Sequence, residues 1–128
     1  MADMDSWVEA QEFQITLDAE GRIIDYLDNE VKRPNTSEER IRQKMIQIIH
    51  CEFGYPASHI GVERVINIGR EMKRADIVVY NNATACASND QGNIRLIAEC
   101  KAPNILDSDG QLNSYISATS AQGGFWTN

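Results

Sequence analysis

The sequence predicts an α/β domain: a central mixed sheet flanked by helices, with an N-terminal β-hairpin. Three observations lead there. A single helical pattern of apolar residues follows Pro34-Asn35-Thr36-Ser37. Two apolar, β-branched-rich runs, 74–80 and 94–103, are separated by a polar stretch carrying Asn89-Asp90 and Gln91-Gly92. The order helix, strand, strand, strand, helix, strand from Ser37 to Thr127 is that of a layered α/β core. With 128 residues the chain can bury one substantial core and hardly two.

The elements follow in order. Stretches 13–17 and 22–27 read as short strands around the turn Asp18-Ala19-Glu20-Gly21. Thr36 or Ser37 is the N-cap of the first helix, and Glu38 and Glu39 in its first turn suit the positive end of the helix dipole. Ile41, Met45, Ile48 and Ile49 form its apolar stripe, and Gly54 to Pro56 ends it after Phe53. A strand is expected within 60–68, then the Asp76 strand, a polar loop over 81–93, and the Glu99 strand. A second, shorter helix is expected over 111–121 and a further strand over 124–127, where Trp126 and Phe125 suit the core. Two segments result: an acidic appendage with the hairpin over 1–35, and a core over 36–128. Phe125-Trp126-Thr127-Asn128 reads as the middle of a strand or turn, so the core is expected to continue.

Chemistry concentrates in the two strands. A period of two puts Glu99 and Lys101 on one face of the second strand, with Leu96, Ala98 and Cys100 on the other. Mg²⁺ takes oxygen ligands in near-octahedral geometry, usually one or two carboxylates completed by water and substrate phosphate. Asp76 and Glu99 on neighbouring strands could supply those carboxylates, and the backbone carbonyl of Cys100 a third oxygen. Such an ion polarises a phosphoryl oxygen and lowers the pKa of a bound water. Lys101 could position that water and offset charge in the transition state. The bland alternative is a solvated Glu/Lys pair on a sheet face. Arg70, Lys73 and Arg74, just before Asp76, could hold DNA phosphates or could equally decorate a solvated turn around Gly69.

Arg74-Ala75-Asp76-Ile77-Val78-Val79-Tyr80, then Ala98-Glu99-Cys100-Lys101-Ala102-Pro103, resembles the core of the PD-(D/E)xK nucleases. More narrowly, the chain resembles the N-terminal nuclease domain of the restriction subunit of type I restriction–modification enzymes. The resemblance begins near Thr36-Ser37-Glu38-Glu39-Arg40 and runs to Asn128. Gln111-Leu112-Asn113-Ser114-Tyr115 is similar to the Gln-x-x-x-Tyr motif of these subunits, and Ala75 stands where a Pro is usual. The resemblance implies a restriction-endonuclease-like fold, Mg²⁺ (or Mn²⁺) as cofactor, and duplex DNA as substrate. It also implies a carboxylate from the first core helix at the metal. Helical phase favours Glu38, which shares a face with Ile41 and Met45; Glu39 is the alternative. Gln111 and Tyr115, four apart, share a helix face and by the same resemblance would contact DNA phosphate or a metal-bound water. Its implied partners are an ATP-driven translocase domain and the methylation and specificity subunits. This chain has no Gly-rich loop ending in Lys-Ser or Lys-Thr, so any ATP chemistry belongs to a motor outside it.

Composition sets further bounds. A net charge of −7 is unusual for a DNA-binding protein. The acidity is local: residues 1–30 hold nine acidic side chains and one basic, whereas 31–128 hold eleven basic and ten acidic. Cys51, Cys86 and Cys100, odd in number and unpaired by spacing, suggest a reducing, cytoplasmic setting, with Cys51 and Cys100 as small core residues. The spacing of His50, Cys51 and His59 does not suit zinc. No apolar run reaches eighteen residues, so no membrane partner is expected, and 1–11 lacks the pattern of a signal peptide. Two other functions stay open: a non-catalytic binding or scaffold module on the same fold, and a standalone DNA nuclease.

Overall fold

The computed structural model describes residues 13–100 and 123–127. Two α-helices and six strands are described, with short 3₁₀ turns over Ala57–His59 and Gln91–Asn93: β1 (Ile23–Ile24), β2 (Lys32–Arg33), α1 (Ser37–Cys51), β3 (Ile60–Ile68), β4 (Glu71–Tyr80), α2 (Ala83–Ser88), β5 (Ile94–Cys100) and β6 (Gly124–Thr127). A four-stranded sheet in the order β3-β4-β5-β6 forms the centre. Its first three strands are antiparallel and β6 joins β5 in parallel, so the sheet is mixed as expected.

Sequence chemistry explains the frame. Thr36 caps α1 by accepting the N–H of Glu39 at 3.1 Å, satisfying one of the four orphan donors of the first turn. Gly54, at φ +80, follows the helix end. Gly69-Arg70 joins β3 to β4 as a two-residue turn, and Gly69 at φ +62 takes the left-handed geometry that such turns need. One face of the sheet packs on α1 through Ile77, Val79, Ala98 and Cys100 against Ile41, Met45, Ile48 and Ile49. The opposite face gathers Ile66, Ala75, Val78, Tyr80, Ile94 and Ile97 with Ala85 and Cys86 of α2.

Three expectations are corrected. The stretch 81–93 is not simply a loop: Asn82 caps α2 by accepting the N–H of Ala85 at 2.7 Å, and Asn89 ends it in the left-handed conformation at φ 51. In the N-terminal region the 13–17 and 22–27 pairing shrinks to one antiparallel bridge, Leu17 with Ile23. There β1 pairs instead with β2, Ile23 opposite Arg33. Cys51 lies exposed at the end of α1, while Cys100 and also Cys86 are buried; none of the three is in a disulfide. The expected helix over 111–121 lies outside the described residues, and no described helix is long and apolar enough to cross a membrane.

Candidate active site

The sheet places Asp76 beside β5. The β4–β5 ladder runs through Ile77 opposite Ala98, which makes Asp76 and Glu99 the next step outward on neighbouring strands. There the Asp76 side chain itself accepts the N–H of Cys100, at 2.8 Å on Oδ2. A carboxylate that takes a backbone N–H is fixed in direction while its second oxygen stays turned elsewhere.

On the other flank, Glu63 of β3 lies opposite Asp76 and adopts φ 54, in the left-handed region that non-glycine residues seldom enter. Pairing resumes on both sides of it, Val62 with Ile77 and Arg64 with Ala75. Across this point the strands change face. Ile60 and Val62 pack toward α1, whereas Ile66 and Ile68 pack toward α2; Ile77 and Val79 face α1, whereas Ala75 faces α2. Strict alternation would send Asp76 the way of Val78 and Tyr80. The inversion instead brings it into a cleft of about 340 Å³ lined by Thr36, Ser37, Glu38, Glu39, Arg42, Glu63, Asp76 and Cys100.

Arg42 is the cation of this cleft. Its guanidinium forks onto Glu39, with Nε 2.9 Å from Oε2 and Nη2 on Oε1. Its Nη1 donates to Glu63 Oε1 at 3.2 Å and lies 3.9 Å from Asp76 Oδ1. Burial disfavours the charge, but the hydrogen bonds and charges of Glu39 and Glu63 outweigh it and raise the Arg42 pKa above its ordinary value.

The helix carboxylates differ from the phase expectation. Both Glu38 and Glu39 line the cleft, but Glu39 is the buried one, with both oxygens engaged, and Glu38 is only half-buried. The physical reason is that α1 buries a second face, the polar row Glu39, Gln43 and Gln47 directed at the N-terminal segment. Glu38 makes no hydrogen bond or ion pair among the described residues.

Of the residues singled out from sequence, the cleft thus gathers Asp76, Cys100, Glu38 and Glu39. Glu99 is fully buried on β5 and is not among the lining residues. Arg70, Lys73 and Arg74 are exposed on the β3–β4 turn and adjoining strand, also away from the lining. Lys101, Gln111 and Tyr115 lie outside the described residues. Among the described residues no three His, Cys, Asp or Glu side chains stand together as a metal-binding set. Sequence reasoning missed Arg42, Gln43 and Glu63. The signal for the first two was present, since Glu39, Arg42 and Gln43 are spaced three and four apart on one helix.

Residues 37–128 match the family described as the type I restriction enzyme R protein N terminus. The chain belongs to that family. The match starts at the first residue of α1 and includes the whole central sheet, while β1 and β2 precede it. No curated protein and no solved structure matches the chain.

Proposed function

We propose that this R protein N-terminal domain is a Mg²⁺-dependent DNA endonuclease, with Mn²⁺ as the alternative ion, that hydrolyses phosphodiester bonds within a type I restriction–modification complex. The observation that carries the reading is Asp76: one oxygen pinned by the Cys100 N–H, its strand turned so that the carboxylate enters a cleft shared with a helix carboxylate. The donor set fits a hard divalent cation, which needs only one or two carboxylates if waters and phosphate complete its shell. Asp76, Glu99 and the carbonyl of Cys100 would hold the ion, with Glu38 approaching from α1, since both oxygens of Glu39 are engaged by Arg42. When bound, the ion supplies charge stabilisation on the phosphoryl oxygen and a water acidic enough to attack at neutral pH.

The chain's own groups do the rest. Asp76, fixed by the β5 backbone, orients the ligand sphere without a rearrangement at the moment of reaction. Lys101 holds the attacking water and offsets charge on the phosphate, while Gln111 and Tyr115 contact the DNA backbone or that water. Arg70, Lys73 and Arg74 take phosphates outside the cleft. The partners in this reading are duplex DNA, a translocase domain that supplies the ATP chemistry, and methylation and specificity subunits; the compartment is the cytoplasm.

Asp76→Ala and Glu99→Ala should each abolish cleavage of plasmid DNA in Mg²⁺ while the circular dichroism spectrum stays that of the folded chain. Lys101→Ala should lower turnover more than ion binding. Wild-type cutting by Asp76→Ala would refute the reading. A non-catalytic scaffold module is the second reading, favoured by the position of Glu99 away from the cleft lining. It requires that the unmodified chain bind no Mn²⁺ in calorimetry and cut no DNA under any of these conditions.

A further inference from the structure

Asp25 is 3% exposed and lies in the hairpin, before the first matched residue of the family. Its Oδ1 accepts the N–H groups of Leu27 at 2.8 Å and Asp28 at 3.2 Å. Its Oδ2 takes the Nε of Arg33 and, at 3.4 Å, the amide of Gln43. Gln43 is 1% exposed in the middle of α1. Its Oε1 accepts the N–H of Tyr26 at 2.8 Å, and its Nε2 donates to Glu39 Oε2 at 3.0 Å. Glu39 in turn grips Arg42, whose Nη1 points at Glu63 and Asp76.

This is one continuous buried line from the hairpin to the cleft. It contains two carboxylates and two guanidiniums, Asp25 with Arg33 and Glu39 with Arg42, so its charges cancel in pairs. A guanidinium is planar, so gripping one edge fixes the direction of its remaining N–H groups. Burying such a network confers little net stability compared with apolar residues of the same volume. Direction is therefore what the network supplies, and the direction it sets ends at Asp76.

We propose that Arg42 is a positioning residue that sets the Asp76 carboxylate, and that Asp25 and Gln43 brace it, which makes the hairpin part of the site's support. Glu39 in this arrangement is spent on Arg42. The kinetic arm of the test rests on the nuclease reading; the spectroscopic arm does not.

The test uses the 128-residue chain and its Gln43→Met and Asp25→Asn variants, the first removing all three side-chain hydrogen bonds at similar size, the second keeping shape while removing charge. In ¹⁵N NMR at pH 7 the Arg42 Nε–H should exchange slowly in the unmodified chain and at least tenfold faster in both variants. In plasmid cleavage both should lose tenfold or more in kcat, with KM for DNA within about twofold, when rates are normalised to the folded fraction by melting. A purely structural brace would leave kcat per folded molecule unchanged, and that result overturns the proposal. Unchanged exchange in variants that fold overturns it as well. If Gln43→Met does not fold, the milder Asp25→Asn decides. Faster exchange in a chain that cuts no DNA would keep the brace and discard the nuclease reading.

Discussion

Glu63 carries a backbone cost for the sake of its neighbour. It sits at φ 54 inside a nine-residue strand, opposite Asp76, and its side chain is 43% exposed. Left-handed geometry for such a residue costs on the order of 1–3 kcal/mol and persists only where surroundings enforce it. What enforces it here is the simultaneous face change of β3 and β4, with buried apolar residues on both sides. A β-branched residue tolerates this conformation least. Glu63→Val should therefore lower the urea unfolding free energy by about 2 kcal/mol, whereas Glu63→Gln, which removes only the charge facing Arg42, should cost well under half of that. Equal losses would show that the charge and not the backbone matters at this position.

At the scale of elements, what could be read from the sequence was whatever a local rule governs. That α1 starts at Thr36 or Ser37 followed from those residues and the two glutamates after them, and a strand within 60–68 followed from its β-branched run, which the structure extends over all of Ile60–Ile68. Thr36→Ala should destabilise the chain by about 1 kcal/mol in the same urea titration, because Ala leaves the Glu39 N–H without its acceptor. A loss near zero would mean that water or another group takes over that cap. The six-residue α2 was not legible. Asn82 and Asn89 are turn residues as well as caps, and the segment between them is too short to show a periodic stripe. Tertiary packing of Ala85 and Cys86 under the sheet decides it. The site divides in the same way. Asp76 and Cys100 were visible as strand residues, but the burial of Glu39 beside the half-buried Glu38 was not. Phase from the apolar stripe assumes one buried face, and α1 has two: apolar toward the sheet, polar toward Asp25 and Gln14.

On the scale of the whole molecule, the distribution of charge sets how much DNA affinity to expect. The excess of acid lies in residues 1–30, and the remainder is close to neutral. Sequence-independent affinity comes from Lys and Arg on phosphates, and a chain making 6–10 such contacts shows a steep loss of binding with salt. Here the cation within the cleft, Arg42, is already committed to carboxylates. Outside it, Arg70, Lys73 and Arg74 lie exposed on the β3–β4 hairpin and offer at most about three contacts, for an expected slope of log K against log salt no steeper than about −3. The 128-residue chain should therefore bind duplex DNA at physiological salt no more tightly than the micromolar range of non-specific complexes, ~10⁻⁴ to 10⁻⁶ M. The measurement is a fluorescence titration with Ca²⁺ in place of Mg²⁺ to block cleavage, repeated at several salt concentrations. Arg70→Ala, Lys73→Ala and Arg74→Ala together should flatten the salt slope nearly to zero. A dissociation constant in the nanomolar range of specific complexes would mean that the chain carries its own DNA affinity and works as a standalone nuclease. Under the proposed nuclease reading, the weak binding expected instead would assign delivery of DNA to partner domains or subunits.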